Sequence, residues 1–289
     1  MKTNKTTLLL VACFLFATTQ TSNAQLKTPA PSPLQTFTQA FGLGEIKIEY
    51  SRPSVKGRVI FGDLVPYGTI WRTGANNATK ITFDDDIKVN NTPVAAGTYA
   101  LYTIPGQTEW DIMLYKDLEL GGNTHEYKPE NELMRFKIKP VKTNEKVETF
   151  TIAINDMTFT TCKIDLVWEN TRVSVPVISD HDARVMKQID NALSPDDKRP
   201  YFSAASYYYD NGKDLNKALE WASKAAELNP KAYWITHTKA KILMKMKDYP
   251  GAMRTAEASK ATAIAEKDDH YVSLNDKLMV DIRNNMGSR

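Results

Sequence analysis

The sequence has very little cysteine: of its 289 residues, only Cys13 and Cys162 are cysteines. Cys13 lies in a short apolar run near the start that is typical of a secretion signal. Without that segment Cys162 is alone, and one cysteine cannot form an internal disulfide. The chain is therefore not a disulfide-stapled scaffold, and its stability must come from buried cores. A mature chain of 265 residues is long enough for two cores.

Long apolar runs and an excess of one charge are also lacking. The apolar segment 8–17 is too short for a membrane span, which takes about 20 residues, and no later run is long enough. Without Lys2 and Lys5 of the signal there are 35 basic and 34 acidic residues, a net charge of +1. The composition therefore predicts neither a transmembrane segment nor a nucleic-acid partner.

Motifs for metal binding and catalysis are missing as well. The four histidines are scattered, with no pair at helical spacing and no cysteine at ligand spacing, so we expect no metal and no cofactor. No Gly-x-Ser-x-Gly turn and no glycine-rich phosphate loop are present. Cys162 alternates within a strand pattern, which indicates a buried, inert thiol. The sequence favours a non-enzymatic protein, with an uncharacterised hydrolase as a further alternative.

The N-terminus has the pattern of an export signal. Two lysines precede the apolar run, and small residues before Gln25 offer a cleavage site. We therefore expect a signal peptide over 1–24 and a mature protein that is periplasmic or extracellular. The alternative is a lipoprotein that is cleaved before Cys13. Such cleavage would leave apolar residues at the N-terminus of the mature protein.

The middle of the chain, residues 45–178, alternates between apolar and polar side chains. This is the period of half-buried β-strands, and it begins with the run 46–50. Turn residues, such as those at 90–93 and 169–170, separate about ten short strands. Because no helical pattern intervenes, the strands predict an all-β sandwich that is jelly-roll-like.

The last third of the chain repeats itself at a spacing of 34 residues. Small residues recur at this spacing: Ser206 with Ala240, Ala218 with Ala252, Ala222 with Ala256 and Ala225 with Ser259. Small residues at such a period allow two helices to cross closely, and they are typical of tetratricopeptide hairpins, which bind other proteins. Two full repeats are fewer than the three usually needed, so we expect helices at 181–193 and 267–285 to cap them.

The expected organisation is a β domain followed by an α domain. A proline-rich stretch precedes the β pattern and reads as an extended linker. The four segments are a signal peptide over 1–24, a linker over 25–44, a β-sandwich over 45–178 and a tetratricopeptide-like helical domain over 179–289.

The densest cluster of unusual residues runs from Tyr50 to Thr79. Its motifs are Tyr50-Ser51-Arg52-Pro53, Lys56-Gly57-Arg58, Phe61-Gly62, Leu64-Val65-Pro66-Tyr67-Gly68 and Trp71-Arg72-Thr73-Gly74-Ala75-Asn76. Together with Gly97-Thr98-Tyr99, they resemble the bacterial domain-of-unknown-function family 2911 over most of residues 30–180. The resemblance implies export and a β-rich fold, and it implies no activity.

Several side chains of this cluster are of the kinds that bind ligands. Guanidinium forks bind carboxylates and phosphates, and indole faces bind sugar rings or cations. The candidate ligand-binding residues are Arg52, Arg58, Trp71, Arg72, Asn76 and Asn77. They indicate a carbohydrate or an anionic small ligand at the loop 52–77. The alternative is that these polar side chains satisfy loop carbonyls while Trp71 fills the core.

The helical region is rich in aromatic residues, and Tyr207, Tyr208 and Trp234 are the candidates for protein binding. Successive residues turn by about 100° on a helix, so the run 207–209 cannot bury all three rings on one face. The function that the sequence favours is binding of another protein of the cell envelope by the helical face. The alternative is that the helices only buttress the sandwich.

Overall fold

The computed structural model describes residues 28–193 and 200–287. The chain divides into two compact units, one that ends at Asp180 and one that begins at His181. The expected signal peptide at 1–24 lies outside the described residues. Within the described ranges, no helix is both long enough and apolar enough to cross a membrane.

The first unit consists of strands. They are β1 Leu34–Phe41, β2 Gly44–Ser51, β3 Ala75–Phe83, β4 Ile87–Val89, β5 Thr92–Val94, β6 Gly97–Ile104, β7 Trp110–Tyr115, β8 Glu132–Ile138, β9 Val141–Asn155 and β10 Thr161–Ile178. One antiparallel sheet has the order β1-β2-β3-β6-β7-β8, and the other has the order β5-β4-β10-β9. The prediction of an all-β, sandwich-like unit followed by helices is confirmed.

The alternating pattern of the strands produces one core between the two sheets. Ile46 and Ile48 of β2 are buried together with Leu166 and Trp168 of β10 in a single apolar cluster. The residues between them in sequence, such as Lys47, remain exposed. Each sheet thus buries one face against the other, which is the physical basis of a sandwich.

The interpretation of 25–44 as a linker is wrong for its second half. Strand β1 lies there and pairs with β2 along its whole length, through a tight turn in which Gly42 has a φ of 64°. Phe37 and Phe41 pack against the core, which holds this edge strand in place. Glutamine shares the inward-facing positions with these phenylalanines, and this polar interruption obscured the period-two pattern of β1.

The expected turn at 169–170 is a β-bulge within one long strand. Strand β10 continues from Thr161 to Ile178, and its register against β9 shifts on both sides of Glu169. The φ of Glu169 is 49°, a left-handed value that lets the strand kink and continue. The turn-forming residues Glu169 and Asn170 therefore mark a bulge within a strand and not the end of one.

The second unit contains six helices among the described residues. They are α1 Asp182–Ala192, α2 Tyr201–Asp210, α3 Leu215–Leu228, α4 Tyr233–Lys245, α5 Tyr249–Ala265 and α6 Asp269–Gly287. The repeated small residues Ala218, Ala222, Ala252 and Ala256 are fully buried. Helix α5 begins at Tyr249, because Asp248 caps its N-terminus and Pro250 fits its first turn. The tetratricopeptide identity of these helices stays a prediction.

A buried hydrogen-bond network joins α4, α5 and α6. The Nδ1 atom of His237 lies 2.9 Å from Oδ1 of Asn275, whose amide donates to the Ser259 hydroxyl at 3.0 Å. The Ser259 hydroxyl donates in turn to the carbonyl of Tyr233 at 2.7 Å. Burial lowers the pKa of His237, partly offset by its hydrogen bond to Asn275. The last three helices are thus held in one arrangement by polar as well as apolar contacts.

Candidate functional site

Trp71, a candidate ligand residue, is part of the core of the β unit. Its indole ring stacks on Trp168 at a centroid distance of 5.9 Å and meets the ring of Phe150 edge-on at 5.2 Å. Its Nε1 donates to the carbonyl of Gly74 at 3.0 Å. Only 8% of Trp71 is exposed. The ring therefore fills the sandwich and is not available to stack on a ligand.

Arg52 and Arg58 are bonded to the protein's own loops. Arg52 donates through Nε to the Phe150 carbonyl at 3.1 Å and through Nη2 to the Thr151 hydroxyl at 2.8 Å. Arg58 donates to the carbonyls of Val55 at 3.0 Å and Ser54 at 2.6 Å. The Arg52 bonds tie the loop after β2 to β9, and the Arg58 bonds hold the loop itself in shape. Each guanidinium group thus has partners within the protein's own chain.

The two asparagines lie at the start of β3. Asn76 has a φ of 58°, and its amide donates to the Ser32 carbonyl at 3.2 Å and to the Ser51 hydroxyl at 3.1 Å. Asn77 is exposed on the same strand. Asn76 therefore stabilises a backbone corner, as asparagine often does at left-handed positions.

Arg72 differs from the other candidates because its Nε is buried and has no hydrogen-bond partner among the described residues. Its guanidinium group lies against Gly122, where an added Cβ would be 3.3 Å from Nη1. Burial raises the pKa of the neighbouring Tyr102 to about 12, and the charge of Arg72 opposes this shift. Of the six candidates, Arg72 alone has a buried side-chain donor without a hydrogen-bond partner among the described residues.

A cleft of about 240 Å³ opens at one end of the sandwich, and none of the six candidate residues lines it. Its walls come from four separate segments: the loop after β2, the β6–β7 turn, the start of β9 and the bulge of β10. The side chains that line it include Phe61, Tyr67, Gln107, Trp110, Lys142 and Asn170. The cleft is therefore assembled by tertiary folding from residues far apart in the sequence.

The helical candidates divide into buried and exposed residues. Tyr208 is 4% exposed and meets Trp221 edge-on at 4.7 Å, so its assignment as a protein-binding residue is wrong. Tyr207 is half-buried, and its hydroxyl donates to Asp182 at 2.7 Å. Trp234 is 41% exposed. The 100° turn per residue separates Tyr207 from Tyr208. Of the three candidates, Trp234 alone is an exposed residue.

Trp234 lies beside an open groove of about 590 Å³ between the end of α3 and the start of α4. Leu228, which is 55% exposed, lines the same groove, together with Tyr233 and Glu266. Leu228 was not among the residues predicted from the sequence. Leu228 is the last residue of α3 and directly precedes Asn229-Pro230. An apolar residue at the end of a helix was the signal in the sequence that could have indicated its exposure.

No described cluster of three or more histidine, cysteine, aspartate or glutamate side chains is arranged to hold a metal ion. Burial raises the pKa of the Cys162 thiol to about 12. A thiol with such a pKa forms almost no thiolate at neutral pH and is a poor nucleophile.

The fold and its surfaces define a β-sandwich protein with a loop-built cleft, continued by a helical unit with an apolar groove. The chain belongs to the family described as protein of unknown function (DUF2911), whose family model matches residues 32–177. The match covers β1 to β10, so the family domain corresponds to the sandwich, as the motifs from Tyr50 onward predicted. No curated protein and no solved structure matches the chain.

Proposed function

We propose that this chain is an exported, non-enzymatic binding protein whose helical unit holds another protein of the cell envelope. The observation that carries the proposal is the exposure of Leu228 and Trp234 in one groove, 55% and 41% respectively. Large apolar side chains that share an exposed concave surface are typical of sites that bind partners.

The groove is held in shape before any partner arrives. Tyr233 meets the Trp234 ring edge-on at 5.1 Å, and the Tyr233 hydroxyl donates to Asp268 at 2.7 Å. At the rim, Lys231 and Glu266 form an ion pair at 3.1 Å. A rigid aromatic centre with a charged rim is the usual anatomy of a protein interface, and tryptophan is enriched among its dominant contacts.

Two sequence patterns support a protein as the partner and the cell envelope as the compartment. A 34-residue period with small residues at helix crossings is typical of repeats that bind proteins. The signal pattern at 1–24 supports export, and hence a partner in the envelope.

The test is site-specific photo-crosslinking in cells that produce the full chain. A photoreactive residue at position 228 should yield an adduct with one envelope protein, and Trp234→Ala should abolish it. Val280 on α6 is 50% exposed and does not line the groove, so a photoreactive residue there serves as the matched control. Equal adducts from positions 228 and 280, or none from 228, would contradict the proposed surface.

Export is tested separately by fractionating the same cells. We expect the mature chain, shortened at its N-terminus, outside the cytoplasm. An unprocessed chain confined to the cytoplasm would exclude an envelope partner, whatever the crosslinking shows.

A further inference from the structure

We propose that the cleft at the end of the sandwich binds a small saccharide that carries a carboxylate. This site lies in the β unit and is independent of the helical groove, so it goes beyond the protein-binding function proposed above. Its volume of about 240 Å³ lies just below the range typical of drug-sized ligands, which fits a single sugar ring.

One wall of the cleft is aromatic and rigid. Phe61 meets Trp110 edge-on at a centroid distance of 4.9 Å, and Trp110 is itself buried in the core. Tyr67 is 41% exposed, and its ring lies over Gly62, where an added Cβ would be 2.8 Å from the ring carbon Cε2. A fixed, accessible aromatic face of this kind suits the apolar face of a sugar ring.

The loop that carries Phe61 and Tyr67 is held by backbone hydrogen bonds. The amide of Gly62 donates to the Val65 carbonyl at 2.9 Å, and that of Val65 donates to the Ile60 carbonyl at 2.8 Å. The amide of Gly68 donates to the Pro105 carbonyl in the β6–β7 turn at 2.9 Å. The wall is therefore preorganised, which reduces the entropy lost when a ligand binds.

The bulge of β10 supplies a polar side chain to the same cleft. The Asn170 amide donates to the Thr143 carbonyl at 3.2 Å, and its Oδ1 makes no hydrogen bond within the described ranges. Glu169 accepts a hydrogen bond from the Ile60 amide at 3.4 Å, which ties the bulge to the aromatic loop. Bulges commonly re-aim a side chain next to a functional site. Here the bulge places an amide suited to sugar hydroxyls.

The charge of the cleft determines the class of sugar. Lys142 lines it, and its ammonium group makes neither an ion pair nor a hydrogen bond with any other described residue. The lining contains no carboxylate, and Gln107 adds an exposed amide to the half-buried amide of Asn170. A lone ammonium beside two amides and an aromatic face matches a sugar ring with one carboxylate.

The experiment is calorimetric titration of the full chain with three matched pairs of sugars. The pairs are glucuronate with glucose, galacturonate with galactose, and N-acetylmuramate with N-acetylglucosamine. We expect at least one acidic sugar to bind more tightly than its neutral counterpart. Lys142→Gln should weaken that binding about fivefold and remove the preference, whereas Lys139→Gln, an exposed lysine outside the lining, should leave it unchanged.

The aromatic contribution is tested at Tyr67. Tyr67→Ala should weaken binding of the acidic sugar about tenfold, while Tyr67→Phe, which keeps the ring, should retain it. Protection of the buried Cys162 thiol in each variant shows that the sandwich stays folded. The proposal is overturned if no acidic sugar binds better than its neutral partner, if acetate binds as well as the sugar, or if Tyr67→Ala has no effect.

Discussion

Trp71→Ala is expected to destabilise the β unit strongly, because the indole lies between the two sheets. The substitution removes contacts with four aromatic rings, those of Phe61, Trp110, Phe150 and Trp168, and it removes the hydrogen bond to Gly74. Truncation of a buried tryptophan costs about 3–5 kcal/mol, since lost transfer energy and the remaining cavity add together.

The buried thiol of Cys162 provides an assay that reports on the β unit alone. Burial raises its pKa to about 12, so a thiol reagent reacts only when the sandwich opens. A loss of about 3–5 kcal/mol should accelerate labelling by roughly two to four orders of magnitude. The protein carries Cys13→Ser for this measurement, so that Cys162 is the single thiol.

Two control variants accompany Trp71→Ala. Trp71→Phe keeps an aromatic ring in the core and should accelerate labelling much less. Trp234→Ala truncates an exposed tryptophan of the other unit and should leave the labelling rate of Cys162 unchanged. If Trp71→Ala changes labelling by less than about tenfold, and the urea midpoint of the β unit is unchanged, the assignment of Trp71 as a core residue is refuted.

Three further predictions follow from single contacts. Gly74→Ala should destabilise the sandwich by about 1–3 kcal/mol in the same labelling assay, because the φ of Gly74 is 154° and a Cβ would lie 3.1 Å from the Ser51 carbonyl oxygen. Asn275→Ala should cost the helical unit about 1–3 kcal/mol in thermal or urea unfolding, because His237 and Ser259 lose their buried partner. Since burial lowers the pKa of folded His237 below its unfolded value of about 6.5, the unfolded chain binds the proton more readily, and stability should fall as the pH drops below about 6.5. His237→Gln should flatten this part of the pH profile, and an equally steep profile in that variant would contradict the assignment.

The β-strands could be predicted because burial on alternate residues leaves a direct trace in the chain. The runs around Ile46 and Leu166 show it clearly, and the family motifs from Tyr50 onward belong to the same unit. Strand β1 was missed because its inward-facing positions carry glutamine as well as phenylalanine, within a proline-rich context. The bulge at Glu169 was read as a turn, since a left-handed residue serves either purpose and only the partner strand decides between them.

The candidate ligand residues could not be assigned from residue type alone. An arginine fork binds a carbonyl of its own chain or a foreign carboxylate with the same donors, and Arg52 donates to Phe150, about a hundred residues further along the chain. Tyr208 and Trp234 are both aromatic, yet one is packed under Trp221 and the other borders a groove. Neither the hydrogen-bond partner of Arg52 nor the difference in burial between Tyr208 and Trp234 can be predicted from the neighbouring residues in the sequence.

The sequence by itself determined the order of a β unit and an α unit, because the periods of 2 and 3.6 residues follow from local backbone geometry. It also determined the family, because the motifs are contiguous. Only the tertiary structure decided that Trp71 fills the core and that Tyr67, Lys142 and Asn170 line one cleft. The physical reason is that a binding cleft depends on distances between side chains, and sheet pairing brings together residues that are remote along the chain.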